Sequence, residues 1–214
     1  TTTINIDNLL DLNTIDNYLN NLNGPISSAG GIESIAFIET DKPYNPNGYP
    51  DLEFLQLGGG INIDLILKQN FGIRDDVYKE MFGALHNSNT NTFMVFPMVL
   101  RPKSKGRVKL RSANPFESPA IFPNYFSDQY DIDIAVRGIR KLIELSKTKA
   151  MKSVNAKFHT APMPGCKHLK YNSDKYWECY TRHFTFTIYH HVGTCLMANS
   201  SNRRGKLYKL ICID

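Results

Sequence analysis

The run Tyr189-His190-His191-Val192-Gly193-Thr194-Cys195 sets two imidazoles, a glycine and a thiol side by side. An imidazole with its ordinary pKa near ~6.5 is largely neutral at working pH and receptive to a proton. That suits general-base chemistry on a hydroxyl, because free alkoxide is too costly to form near neutrality. The plainer alternative is that a His pair ending a β-prone run is structural or sits at the surface. Gly193 and Thr194 read either as a turn after a strand or as backbone passing close to a bound group. Cys195 has no base at a recognisable spacing, so it reads as a small packing residue rather than a nucleophile.

Other chemistry-bearing groups are weaker. Cys166, Cys179, Cys195 and Cys212 match no zinc ribbon or finger spacing, so no metal site is expected. Cys166 and Cys179 either form a local disulfide, as a secreted chain allows, or stay as two small thiols. Gly58, Gly59 and Gly60 follow a predicted strand, but the run has neither G-x-G-x-x-G nor G-x-x-x-x-G-K spacing. A nucleotide-phosphate loop is therefore rejected. Arg101, Lys103, Lys105 and Arg107 read as a solvated basic turn rather than an anion site. Tyr176, Trp177 and Tyr180 read as core rather than as a substrate platform.

Several elements must position these groups. Apolar residues from Ile6 to Leu22 approximate helical spacing, as one helix or two short ones. Ser34–Ile38 and Leu52–Leu57 read as strands, and Asp75–Leu85 as a short helix. Thr92–Leu100 is the clearest strand, with Pro97 favouring an edge or a bulge. The basic turn then leads to a second strand over Val108–Arg111, giving a strand–turn–strand unit. Three prolines within 114–126 fix an extended, irregular path. Ile132, Ala135, Val136, Ile139, Leu142 and Ile143 form one stripe of a helix over Asp131–Thr148, capped by Ser127 or Asp128. Ser173 or Asp174 caps a second short helix carrying Tyr176, Trp177 and Tyr180. The run from residue 183 up to the His190–His191 pair then reads as β-prone. Strands and helices without regular alternation predict an α+β fold, mostly antiparallel sheet flanked by helices.

The chain has 214 residues, with 42% hydrophobic and 11% aromatic residues, enough for a sizeable core. The net charge is +5, of which Arg203, Arg204, Lys206 and Lys209 against Asp214 supply +3. The small excess left on the body argues against a nucleic-acid surface. No apolar run approaches the ~20 residues of a membrane-spanning helix. No basic n-region or signal-peptide core opens the sequence, and it lacks an initiator Met.

The Tyr189–Met197 segment resembles the Y-H-x-V-G-T-C-x-M signature of the glucose–methanol–choline (GMC) oxidoreductases, a flavoenzyme family. Residues 101–128 are similar to that family's P-x-S-x-G stretch, with its later N-P and N-Y. Residues 164–183 resemble its insect glucose-dehydrogenase-like members, and 24–38 and 49–59 fit the same branch. The resemblance runs in order from about residue 20 to 197. It implies the substrate-binding domain of an FAD-dependent enzyme that oxidises the CH–OH group of an alcohol or sugar. His190 would be the catalytic base, and Val192, Gly193 and Thr194 would pass beside the flavin. The electron acceptor would be a quinone or oxygen. His191 falls at a variable site and takes no role. Insect relatives imply secretion, with which a Cys166–Cys179 pair is compatible.

The sequence also departs from that pattern. Most of the family's dinucleotide-binding Rossmann domain is not represented, and the match stops after Met197. The expectation is a GMC substrate-domain fragment over 1–197, with a divergent, disordered tail over 198–214. Such a fragment is expected to be inactive alone. The alternative is a non-catalytic binding or structural remnant of the same scaffold.

Overall fold

The computed structural model describes residues 9–40, 48–62, 65–88 and 90–190. In chain order the helices are α1 (Leu12–Asn21), α2 (Leu65–Asn70), α3 (Asp75–His86), α4 (Gln129–Leu145), α5 (Lys149–Ser153) and α6 (Asp174–His183). The strands are β1 (Ile32–Ile38), β2 (Leu52–Leu57), β3 (Met94–Val99), β4 (Arg107–Lys109) and β5 (Ala120–Phe122). The fold is α+β, with antiparallel sheets flanked by helices.

Helix α4 organises the rest. The Asp128 carboxylate accepts the Tyr130 N–H at 2.9 Å and so caps it, as the sequence predicts. Its stripe residues Ile132, Ala135, Val136 and Ile139 are buried, but so are Ile134 and Gly138. The helix is therefore covered on two sides. It stops at Leu145, and Thr148 caps the separate helix α5.

On one side lies the antiparallel sheet β1–β2–β3, in register Ile38↔Leu52↔Val99. Pro97 sits on β3 at the sheet's edge, where its missing N–H costs no ladder bond, as predicted. Gly138 faces this sheet. A Cβ there would lie 2.5 Å from Leu52 Cδ2 and 3.3 Å from Pro97 Cβ, so only glycine allows the close approach.

On the other side Ile132, Val136 and Ile139 meet Met81 of α3, Met163, Cys166, Tyr176 and Trp177. Tyr176 and Trp177 are thus core, as the sequence predicts. Arg140 clamps α4 to the start of α6, donating to Asn172 Oδ1 at 2.6 Å and to Asp174 Oδ1 at 2.6 Å. Trp177 Nε1 donates to the same Asn172 Oδ1 at 2.9 Å.

Three expectations are corrected. First, β4 does not pair with β3; it forms a separate ribbon with β5, in register Val108↔Ile121. The cause is Asp131, which is buried and accepts the N–H groups of Lys103 at 2.7 Å and Ser104 at 2.9 Å. That contact draws the basic turn away from the sheet and toward the start of α4. Gly106 then crosses so close to the far strand that a Cβ would lie 2.3 Å from the Phe122 carbonyl oxygen. Second, part of the proline-rich path is therefore a strand, β5. Third, residues 184–190 form no strand; Tyr189 takes φ 65°, which breaks an extended path. In α1 the apolar residues Leu12 and Leu19 are exposed.

Candidate active site

The sheet's second face carries the segment that leads to His190. Successive strand residues point to opposite faces, so Phe96 faces away from α4 where Pro97 faces toward it. Phe71, just after α2, meets Phe96 edge-on at 6.0 Å and stacks on Phe186 at 4.5 Å. Phe186 in turn meets Phe184 at 4.6 Å, and Phe184 contacts Tyr180 of α6 at 5.5 Å. This file of rings fixes where the chain runs after α6. Phe184 N–H still bonds to the Tyr180 carbonyl at 2.8 Å, and the Thr185 hydroxyl donates to the Thr181 carbonyl, so the exit from the helix is held at two points.

A concavity of about 280 Å³ opens along this segment, walled by Asn70, Phe71, Tyr125, Phe186, Thr187 and Tyr189. His190 follows directly and is exposed. His190 is thus one residue beyond the Tyr189 wall of the hollow and does not itself line it. His191, Val192, Gly193 and Thr194 lie outside the described residues. The Gly58–Gly60 run behaves as packing. Gly58 N–H donates to the Gly31 carbonyl at 2.9 Å, and a Cβ on Gly60 would collide with the Thr92 hydroxyl. Among the described residues this glycine run makes no phosphate cradle.

A second cleft, of about 490 Å³, lies beside α6. Arg74, Asp76, Met163, Gly165 and His183 line it. Cys166 and Cys179 are bonded as a disulfide that ties the Pro164–Cys166 turn to α6, which settles the alternatives that the spacing left open. His183 Nδ1 lies 3.8 Å from Cys166 Sγ and 3.7 Å from Cys179 Sγ. Sequence spacing missed His183. The available signal was the i, i+4 separation of Cys179 and His183 on one helix face. At the cleft mouth Arg74 donates to both Asp76 oxygens, at 3.1 and 2.6 Å, and these bonds hold the Asp76 carboxyl below its ordinary pKa. Elsewhere on α6, burial pushes the Tyr180 phenol well above its ordinary range, with Tyr176 and Tyr171 adding to the shift.

The family model described as GMC oxidoreductase matches residues 102–205. The glucose dehydrogenase [FAD, quinone] of Drosophila pseudoobscura pseudoobscura is 39% identical over 118 residues, covering 55% of this chain and 19% of that protein. The Drosophila melanogaster protein named neither inactivation nor afterpotential protein G is 26% identical over 206 residues, covering 92% of this chain and 34% of its own. A crystal structure of formate oxidase superposes with a TM-score of 0.56 at 22% identity, over 83% of this chain and 31% of that one, which supports the fold. The chain thus spans about a fifth to a third of the length of these relatives. Residues 102–205 thus match the GMC oxidoreductase family, and the chain is similar to the glucose dehydrogenases of that family from Drosophila.

Proposed function

We propose that this chain is the substrate side of an FAD-dependent oxidoreductase that oxidises the CH–OH group of a small alcohol or sugar. The observation that carries the reading is the exposed His190 beside an aromatic-walled hollow, inside a segment that matches the family. His190 is the base: its neutral imidazole takes the hydroxyl proton, so the carbinol never has to exist as free alkoxide. Phe71, Phe186, Tyr125 and Tyr189 receive the organic body of the substrate, and Asn70 and Thr187 offer it polar contacts. Bound FAD supplies the hydride acceptor. Val192, Gly193 and Thr194 are assigned to the flavin side by the signature alone. The relative named for FAD and quinone suggests a quinone as the final acceptor, with oxygen the other candidate. Extracellular placement, which the family resemblance implies, is part of the same proposal.

The 214-residue chain alone is expected to hold no yellow cofactor and to turn over no alcohol. Grafted in place of the matching segment of the Drosophila glucose dehydrogenase, it is expected to support alcohol-dependent reduction of a quinone. There His190→Ala should lower kcat by roughly 10²–10⁴-fold at unchanged flavin content. Near-full turnover in that variant removes the base assignment. A chimera that binds flavin but never turns over favours the second reading, a non-catalytic remnant. That reading draws on the packed glycine run, which offers no phosphate cradle.

A further inference from the structure

The cleft beside α6 brings together three potential metal donors with no part in alcohol oxidation: Cys166 Sγ, Cys179 Sγ and His183 Nδ1. We propose that they form a redox-gated site for a thiophilic divalent cation, zinc. The site is closed while the two sulfurs are bonded to each other and open once they are reduced.

The geometry carries this reading. A tetrahedral zinc with Zn–S near 2.3 Å and Zn–N near 2.0–2.1 Å holds its nitrogen and sulfur ligands about 3.6 Å apart. His183 Nδ1 already sits at 3.8 and 3.7 Å from the two sulfurs. Of the three donor–donor distances only that between the sulfurs must lengthen, to about 3.8 Å, by the same bond lengths. The Cα atoms of the pair are 5.9 Å apart, and Cys179 and His183 lie one helical turn apart on α6. Gly165 makes room for the imidazole: a Cβ there would press on His183 Cδ2 at 3.0 Å and Nε2 at 3.1 Å. His183 is exposed and lines the cleft, which gives the cation its way in and water a place in the fourth position.

Reduction needs an external dithiol. Its two thiols give two electrons and two protons to the Cys166–Cys179 bond, yielding two cysteine thiols and the reductant's own cyclic disulfide. Zinc then displaces both thiol protons to solvent. His183 Nδ1 now lies 2.9 Å from the Cys179 carbonyl oxygen. A carbonyl only accepts, so that nitrogen carries the proton and must pass it to Nε2 before ligating. A single such hydrogen bond is a small term beside the binding of zinc to two thiolates.

The test uses the full chain with Cys195→Ser and Cys212→Ser, so that the pair supplies all the thiols. It is reduced with dithiothreitol, desalted without air and titrated with zinc or cobalt(II). The reduced chain is expected to take one zinc, and its cobalt form to show thiolate charge-transfer and tetrahedral d–d absorption. The oxidised chain should bind none. His183→Ala should weaken zinc at least about tenfold, and His183→Cys should restore binding. Equal binding by the two redox states, or no effect of His183→Ala, overturns the proposal. Loss of helical circular dichroism on reduction that zinc fails to restore overturns it too, because the site exists only on a folded α6.

Discussion

Asp131 acts through its two carboxylate oxygens. It is 1% exposed, and each oxygen takes one backbone N–H, from Lys103 and from Ser104. Removing it strands two donors where water is scarce, so Asp131→Ala should lower stability by about 1–3 kcal/mol. The urea midpoint is expected to fall at unchanged m-value, and an unmoved midpoint denies the pinning role. In the sequence this residue is only an acid at the start of a helix, and nothing local shows that it holds a turn 28 residues away. His190 is the opposite case. Its proposed role draws only on residue type and flanking signature, because the ordinary pKa of an imidazole suits proton transfer near neutrality whatever the fold. The ring file that aims its segment was not legible in the sequence, because Phe71, Phe96 and Phe186 meet only in space.

At the scale of elements, α4 succeeds because its buried surface is wider than one stripe. The helical period announced Ile132, Ala135, Val136 and Ile139, but it was silent on Gly138, which lacks the apolar side chain such patterns register. Gly138→Val is expected to destabilise by about 1–3 kcal/mol, since Leu52 is fully buried and cannot yield. Leu52→Ala makes space at the same contact. The double variant should therefore lose clearly less than the sum of the two single losses, and strict additivity would disprove the contact. The β4–β5 ribbon shows the limit of pattern reading. Alternation identified β4, yet its partner was set by a side chain of α4 and by the missing Cβ of Gly106.

At the scale of the whole molecule, the aromatic interior leaves a mark on alkaline stability. Burial raises the phenols of Tyr180, Tyr78 and Tyr171 above their ordinary value of 10.0. Below that pH both the folded and the unfolded chain keep these protons, and no stability is lost. Above it the unfolded chain releases them while the folded chain holds on, so stability declines as pH climbs toward the folded values. Tyr180→Phe should make that decline shallower in unfolding experiments between neutral pH and pH ~11. An identical slope would mean that Tyr180 keeps its ordinary acidity.

Helix α4 separates two interiors, one against the sheet and one against α3 and α6, and belongs to both. A partition shared in this way leaves neither chamber able to melt while the other stays intact. The sheet that backs the His190 segment and the disulfide-tied cluster across the helix therefore form one cooperative unit, which stands or collapses together.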